Sequence, residues 1–196
     1  REQLGKRMVV FGKLLNAAGV QLKIEDAFRP VGVQEGLFKR RIAWTRRDYP
    51  EWSDEQVIEE ARSKTASCPR LASHKGGAAI DATICDDNNN NLTFGHDYPD
   101  GGALVFPRSP FITSEHWRNR QLFQVAAGLS GLTLYIGEDW HVSYGDNLAS
   151  LDYTGNVVDG YRAQYGPIKQ IGIHGYRATI EEVYDTTELD STFPIN

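Results

Sequence analysis

Ser73-His74-Lys75-Gly76-Gly77-Ala78-Ala79-Ile80-Asp81-Ala82-Thr83-Ile84 is the stretch that decides how this 196-residue chain is read. Its second half, Ala78 to Ile84, is short, mostly apolar and interrupted by one acid, the pattern of a strand that carries Asp81. Its first half places a histidine seven residues before that acid, with Gly76-Gly77 between them. Glycines let the backbone turn sharply, so His74 and Asp81 can converge. The Asp86-Asp87-Asn88-Asn89-Asn90-Asn91 run that follows reads as an exposed turn or hairpin loop.

Upstream, Leu4, Met8, Val9, Phe11, Leu14, Leu15 and Ala18 recur at helical spacing, and Gly19 stands where a cap ends the helix. Val20, Leu22 and Ile24 then alternate with polar residues as a strand that runs into Asp26-Ala27-Phe28-Arg29 before Pro30. Arg29 is thereby expected at a strand end. Residues 31 to 49 read as loosely helical, and Ser53-Asp54-Glu55-Gln56 has the capping-box form that opens a helix through about Lys64. Downstream, the glycines and prolines between Phe94 and Pro110 predict a long irregular loop of the kind that often serves as a lid or binding wall. Ser114 to Leu129 predicts a helix with Trp117, Leu122, Phe123, Val125 and Ala126 on its buried side. Leu132, Leu134 and Ile136 alternate as a strand leading to Gly137-Glu138-Asp139-Trp140-His141. Beyond Gly145 the pattern weakens, and Val183 to Asn196 carries few periodic signals. This order predicts an α+β fold, helices packed on a small, largely antiparallel sheet, as one domain over residues 1–196.

Composition narrows the function. Hydrophobic residues make up 40% and charged residues 24%, which argues against disorder, and no apolar run is long enough to span a bilayer. Net charge is -5, from 21 basic and 26 acidic residues, so no basic surface is expected to track a nucleic acid. Lys39-Arg40-Arg41 and Arg46-Arg47 read as a solvated helix face. Cys68 and Cys85 allow one disulfide or none, which leaves the redox compartment open. The chain starts at Arg1 with no basic-then-apolar leader, so it is expected to be processed, truncated or cytoplasmic.

Three segments concentrate reactive side chains: Asp26 to Pro30, Ser73 to Asp81, and Glu138 to His141. A second histidine beside His74 and Asp81 makes two nitrogen ligands and one oxygen ligand. Catalytic zinc commonly takes three protein ligands and leaves the fourth position for water. A single carboxylate only partly neutralises the ion, which keeps such a water acidic. A base is still required. Glu138 precedes His141 by three, which sets the two on opposite faces of a regular strand but close together across a turn or bulge. Gly137 offers the point of flexibility.

The His-x-x-Gly-x-Ala-Ile-Asp string from His74 to Asp81, with Glu-x-Trp-His at Glu138 to His141, resembles the zinc D-Ala-D-Ala peptidases. Asp26-Ala27-Phe28-Arg29-Pro30 resembles the Asp-x-Tyr/Phe-Arg-Pro element of the D-alanyl-D-alanine dipeptidase branch known from vancomycin resistance. The likeness covers roughly residues 4 to 146 and leaves 147–196 unassigned. It implies a fold also shared with the Hedgehog signalling domain, with zinc held by His74, Asp81 and His141. Glu138 would then be general base and acid, and Arg29 would stabilise the oxyanion. It places Ser73, Trp140 and Asp97 around the substrate, with Asp97 or Asp100 meeting an ammonium group. The family often has a Ser two places before its first histidine, where this chain has Ala72, with Ser73 one place on. Asp139 reads as structural, and His96, His116 and His174 lack ligand spacing.

The implied activity is hydrolysis of a D-Ala-D-Ala-type dipeptide in the bacterial cytoplasm or cell envelope. A carboxypeptidase or endopeptidase acting on peptidoglycan stem peptides is the second expectation. A zinc-stabilised interaction domain without turnover is the third, and Glu138 argues against it, since a purely structural zinc has no use for a base.

Overall fold

The structure is a computed structural model that describes residues 1–99, 102–151, 156, 158–174, 177–182 and 186–195. In chain order its elements are α1 (Glu2–Ala17), β1 (Gln21–Asp26), α2 (Val31–Asp48), α3 (Asp54–Lys64), β2 (Ala79–Cys85), α4 (Ser114–Leu129), β3 (Thr133–Leu134), β4 (His141–Ser143), β5 (Ile168–His174), β6 (Arg177–Glu182) and α5 (Thr186–Asp190). They fall into two units, Arg1–Ala27 with Ala78–Tyr165, and Phe28–Gly77 with Gly166–Asn196.

The first unit is built on a four-stranded sheet of order β1-β2-β4-β3, antiparallel at every step. Side chains alternate between the two faces of a strand. Ala82 and Ile84 of β2 and Val142 of β4 therefore join one apolar layer with Leu4, Phe11 and Leu15 of α1 and Phe123, Ala126 and Ala127 of α4. Phe123 sits at its centre, edge-on to Phe11 at 5.1 Å and to Phe94 at 5.3 Å. The same alternation turns Asp81 and His141 to the other face.

α4 departs from its expected burial. Phe123 and Ala126 are inside and Leu122 is partly so, but Trp117 is 39% exposed and Val125 56%. The buried stripe runs instead through Arg120, Phe123, Ala126 and Ala127. A hydrophobic pattern assigns arginine to solvent, whereas here each nitrogen of a fully buried guanidinium has an acceptor. Nε donates to Phe94 O (2.8 Å), Nη1 to Phe106 O (2.8 Å), and Nη2 to Leu104 O (2.6 Å) and to the Asp139 carboxylate (2.9 Å). Three carbonyls of the 94–110 loop thus end on one side chain. That loop contains no helix or strand among its described residues. β3 is only two residues long, because the chain leaves the ladder at Tyr135 to make the turn before His141.

In the second unit, α2 and α3 bury Phe38, Ile42, Val57 and Ala61 with Phe193. Ser53 and Gln56 form the reciprocal capping box that opens α3. β5 and β6 pair as an antiparallel hairpin, and Arg70 ion-pairs with Asp190 of α5. The weak periodicity after Gly145 gave no sign of this hairpin. Both cysteines are free thiols. Among the described residues no helix is long and apolar enough to cross a membrane.

Removing one partner of a buried ion pair leaves the other charge uncompensated, at a cost of about 3–5 kcal/mol. Arg120→Met is therefore expected to lower the unfolding free energy by about that amount in a guanidinium titration. A loss under about 1 kcal/mol, the usual range for exposed pairs, would show that the guanidinium is not the anchor.

Candidate metal centre

Register creates the first half of the centre. β2 and β4 pair antiparallel with Asp81 directly opposite His141. Side chains opposed across a ladder lie on one face and in contact, and His141 Nδ1 lies 3.0 Å from Asp81 Oδ1. The second carboxylate oxygen, Oδ2, accepts from the Tyr98 hydroxyl at 3.0 Å. His74 comes from a 3-10 turn, Ser73–Gly76, closed by Gly77 at φ 61°, a left-handed conformation that favours glycine. A Cβ at Gly77 would also meet Ile168 Cδ1 at 3.2 Å. The His74 carbonyl accepts from the Arg29 N–H at 3.3 Å. His74, Asp81 and His141 are all buried, and each offers a ligand atom within 4.8 Å of the others.

The electrostatics favour a cation. Burial opposes a charge on His141, but hydrogen bonding and attraction from Asp81, with the fields of Glu138 and Asp146, outweigh it and raise the imidazole pKa. The same carboxylates, Asp81, Glu138 and Asp146, set up a negative field that would attract a dication, which the neutral imidazole would bind in place of the proton. Two imidazoles and one carboxylate are also the donor set of catalytic zinc, whose bonds of about 2 Å can draw atoms at this separation together. The residues present fit the ion.

Glu138 stands beside these groups with Oε2 3.7 Å from His141 Nδ1 and its side chain 34% exposed. The backbone between them is a turn at Asp139-Trp140, the irregularity that their spacing of three calls for. Gly137 serves this turn by space: its φ lies outside the left-handed region, and a Cβ there would meet the Tyr135 ring at 2.8–3.0 Å. The Tyr135 ring lies edge-on to His141 at 5.7 Å, and burial, then the Glu138 charge, raises its phenol pKa.

The remaining expected residues are placed as follows. Arg29 follows β1 in an irregular segment, its Nη1 donating to Gln34 Oε1 at 2.7 Å. Ser73 and Trp140 are buried, and Asp97 is exposed in the long loop. Asp100 and the His174 side chain lie outside the described residues. Lys75, beside His74, is buried, which pushes its ammonium pKa down to about 8 against the pull of Cys68 and Glu188.

Spacing gave no hint of a second cluster. His96 Nε2 lies 3.0 Å from both oxygens of Asp139, which also pairs with Arg120. Burial raises the Asp139 pKa, and His96 and Arg120 pull it back. His96 and Tyr98 both pack edge-on against Trp140, at 5.1 and 5.4 Å. These partners are some forty residues apart in sequence, so only their clustering around the Glu-Asp-Trp-His segment, seen in three dimensions, reveals them.

Comparison with known proteins bears on the same segments. No curated protein matches the chain. Among solved structures, a mutant of the vancomycin-resistance D,D-pentapeptidase VanY from a VanB-type cassette, in complex with Zn(II), superposes at TM-score 0.43. It shares 14% identity over 72% of this chain and 70% of its own. VanYB in complex with D-alanine-D-alanine superposes at TM-score 0.44, with 16% identity over 72% of this chain and 68% of its own. The profile of one family, described as D-ala-D-ala dipeptidase, matches residues 2–161 and so takes in all three reactive segments. The chain belongs to the D-ala-D-ala dipeptidase family of zinc peptidases.

Proposed function

We propose that this protein hydrolyses a free D-Ala-D-Ala-type dipeptide, with His74, Asp81 and His141 holding zinc and Glu138 moving the proton. One observation carries the reading: a His-Asp-His ligand group with a half-exposed carboxylate 3.7 Å from one of its imidazoles. Its support is chemical. The ion supplies, when bound, polarisation of a carbonyl and acidification of water.

The chain's own groups complete the reaction. A Glu138 oxygen takes a proton from the attacking water as the new C–O bond forms, and returns it to the amine nitrogen as the C–N bond breaks. Glu138 thus ends in its starting state, and water is consumed in making two amino acids. The Arg29 guanidinium, held by Gln34, donates to the oxygen on which negative charge develops. Asp97, exposed in the long loop, offers a carboxylate to the substrate ammonium. Ser73 and Trp140, both buried, shape the wall.

The roles separate by substitution. His74→Ala should lose both bound zinc and activity, read by metal analysis and by D-alanine release. Glu138→Ala should keep its zinc and lose ~10²-fold or more in kcat, the lower range for general acid–base catalysis. A Glu138→Ala protein that turns over normally would sink the assigned mechanism. Zinc-loaded protein that releases D-alanine from muropeptides but none from the free dipeptide would move the substrate to peptidoglycan stem peptides. Removing zinc with a chelator should abolish activity, and adding it back should restore it. Activity that persists without the metal would dismiss the metal reading.

A further inference from the structure

We infer that Tyr98 is a positioning residue for the metal centre: its hydroxyl fixes the Asp81 carboxylate so that one oxygen is reserved for the ion. The inference rests on the reading of Asp81 as a ligand. The two Asp81 oxygens have different neighbours. Oδ1 faces His141 Nδ1 at 3.0 Å, while Oδ2 receives the Tyr98 hydroxyl at 3.0 Å. A hydroxyl that donates to a carboxylate stabilises its anionic form, the form that binds metal, and stops it from rotating. With Oδ2 so engaged, Oδ1 is the oxygen presented beside His141.

The hydroxyl is useful only if the loop carrying it is held, and three contacts hold it. The Tyr98 ring meets Trp140 edge-on at 5.4 Å and 88°. His96, two residues earlier, meets the same indole edge-on at 5.1 Å and places Nε2 3.0 Å from both Asp139 oxygens. Asp139 is in turn paired with the buried Arg120, which also draws in the carbonyls of Phe94, Leu104 and Phe106. Asp139 and Trp140 directly precede the ligand His141. The loop is thus tied to the strand bearing one ligand and delivers its hydroxyl to the other, so the cost of ordering Tyr98 is met in folding and not at metal binding.

Tyr98→Phe tests this, because it keeps the ring on Trp140 and deletes only the donor. Zinc affinity, measured on metal-free protein by competition with a chromophoric chelator, is expected to fall 10- to 100-fold, the range for lost outer hydrogen bonds to metal ligands. The visible absorption of the cobalt-substituted protein is expected to shift, and the unfolding midpoint of the metal-free protein to stay that of the wild type. Zinc affinity within about twofold of wild type would overturn the inference. So would weaker binding with an unchanged cobalt spectrum and a lowered metal-free midpoint, the signature of a merely structural tyrosine. Asp81→Ala separates this from the reading beneath it. If Asp81→Ala binds zinc as wild type does, the ligand assignment fails; if it loses zinc while Tyr98→Phe does not, only the positioning role fails.

Discussion

A slip of one residue between β2 and β4 would turn Asp81 or His141 into the apolar layer, since neighbouring side chains on a strand face opposite ways. The register that sets Asp81 against His141 is therefore the constraint on which the centre depends. It is enforced by what lies on the other face. Ala82, Ile84 and Val142 pack with α1 and α4, and exchanging them for a carboxylate and an imidazole would bury polar groups in a layer with nothing to receive them. Hydrophobic packing on one side of the sheet thus holds a polar pair in place on the other.

The second constraint is a charge placed where composition would not put one. A fully buried Arg120 is tolerable only because its donors meet three loop carbonyls and the Asp139 carboxylate. The same contacts order a loop that has no regular structure of its own. Because His96 and Tyr98 lie within that loop, its order extends to Trp140 and to the Asp81 carboxylate. A long loop free of such anchors would carry the same side chains without fixing them.

What the sequence could disclose followed the reach of each signal. α1, the capping box at Ser53 and Gln56, β2 and the helix Ser114–Leu129 were legible because periodicity and caps are local. The grouping of His74, Asp81 and His141 was legible through residue type and order, with Gly77 marking the turn between the first two. Arg120 was not, since a hydrophobic pattern sends arginine outward and cannot see carbonyls that arrive from residues 94 to 106. Trp117 and Val125 were misplaced for the same reason, because the stripe containing Arg120 took the inner face. Gly137 drew attention as a glycine, but its φ is ordinary and its need is room for Tyr135, which spacing does not report. The β5–β6 hairpin escaped because its alternation is weak in sequence, and its ladder carries a register shift between Ile168 and Gln170.

The exposure of these groups matches the division of labour in the proposed mechanism. Asp81 and His141, the proposed ligands, are almost fully buried, where a low dielectric would strengthen their attraction for a cation and the strand ladder keeps them still. A proton carrier has the opposite need, since it must reach both substrate and solvent and change charge in each cycle. Glu138, 34% exposed, fits the role proposed for it because it lies on a turn outside the ladder and does not continue β4. Had the strand run on through Glu138 in regular alternation, its spacing of three from His141 would have put it on the face where Val142 is buried. The two-residue β3 and the crowded turn at Gly137 are thus what place a carboxylate on the ligand side of the sheet while leaving it in contact with water.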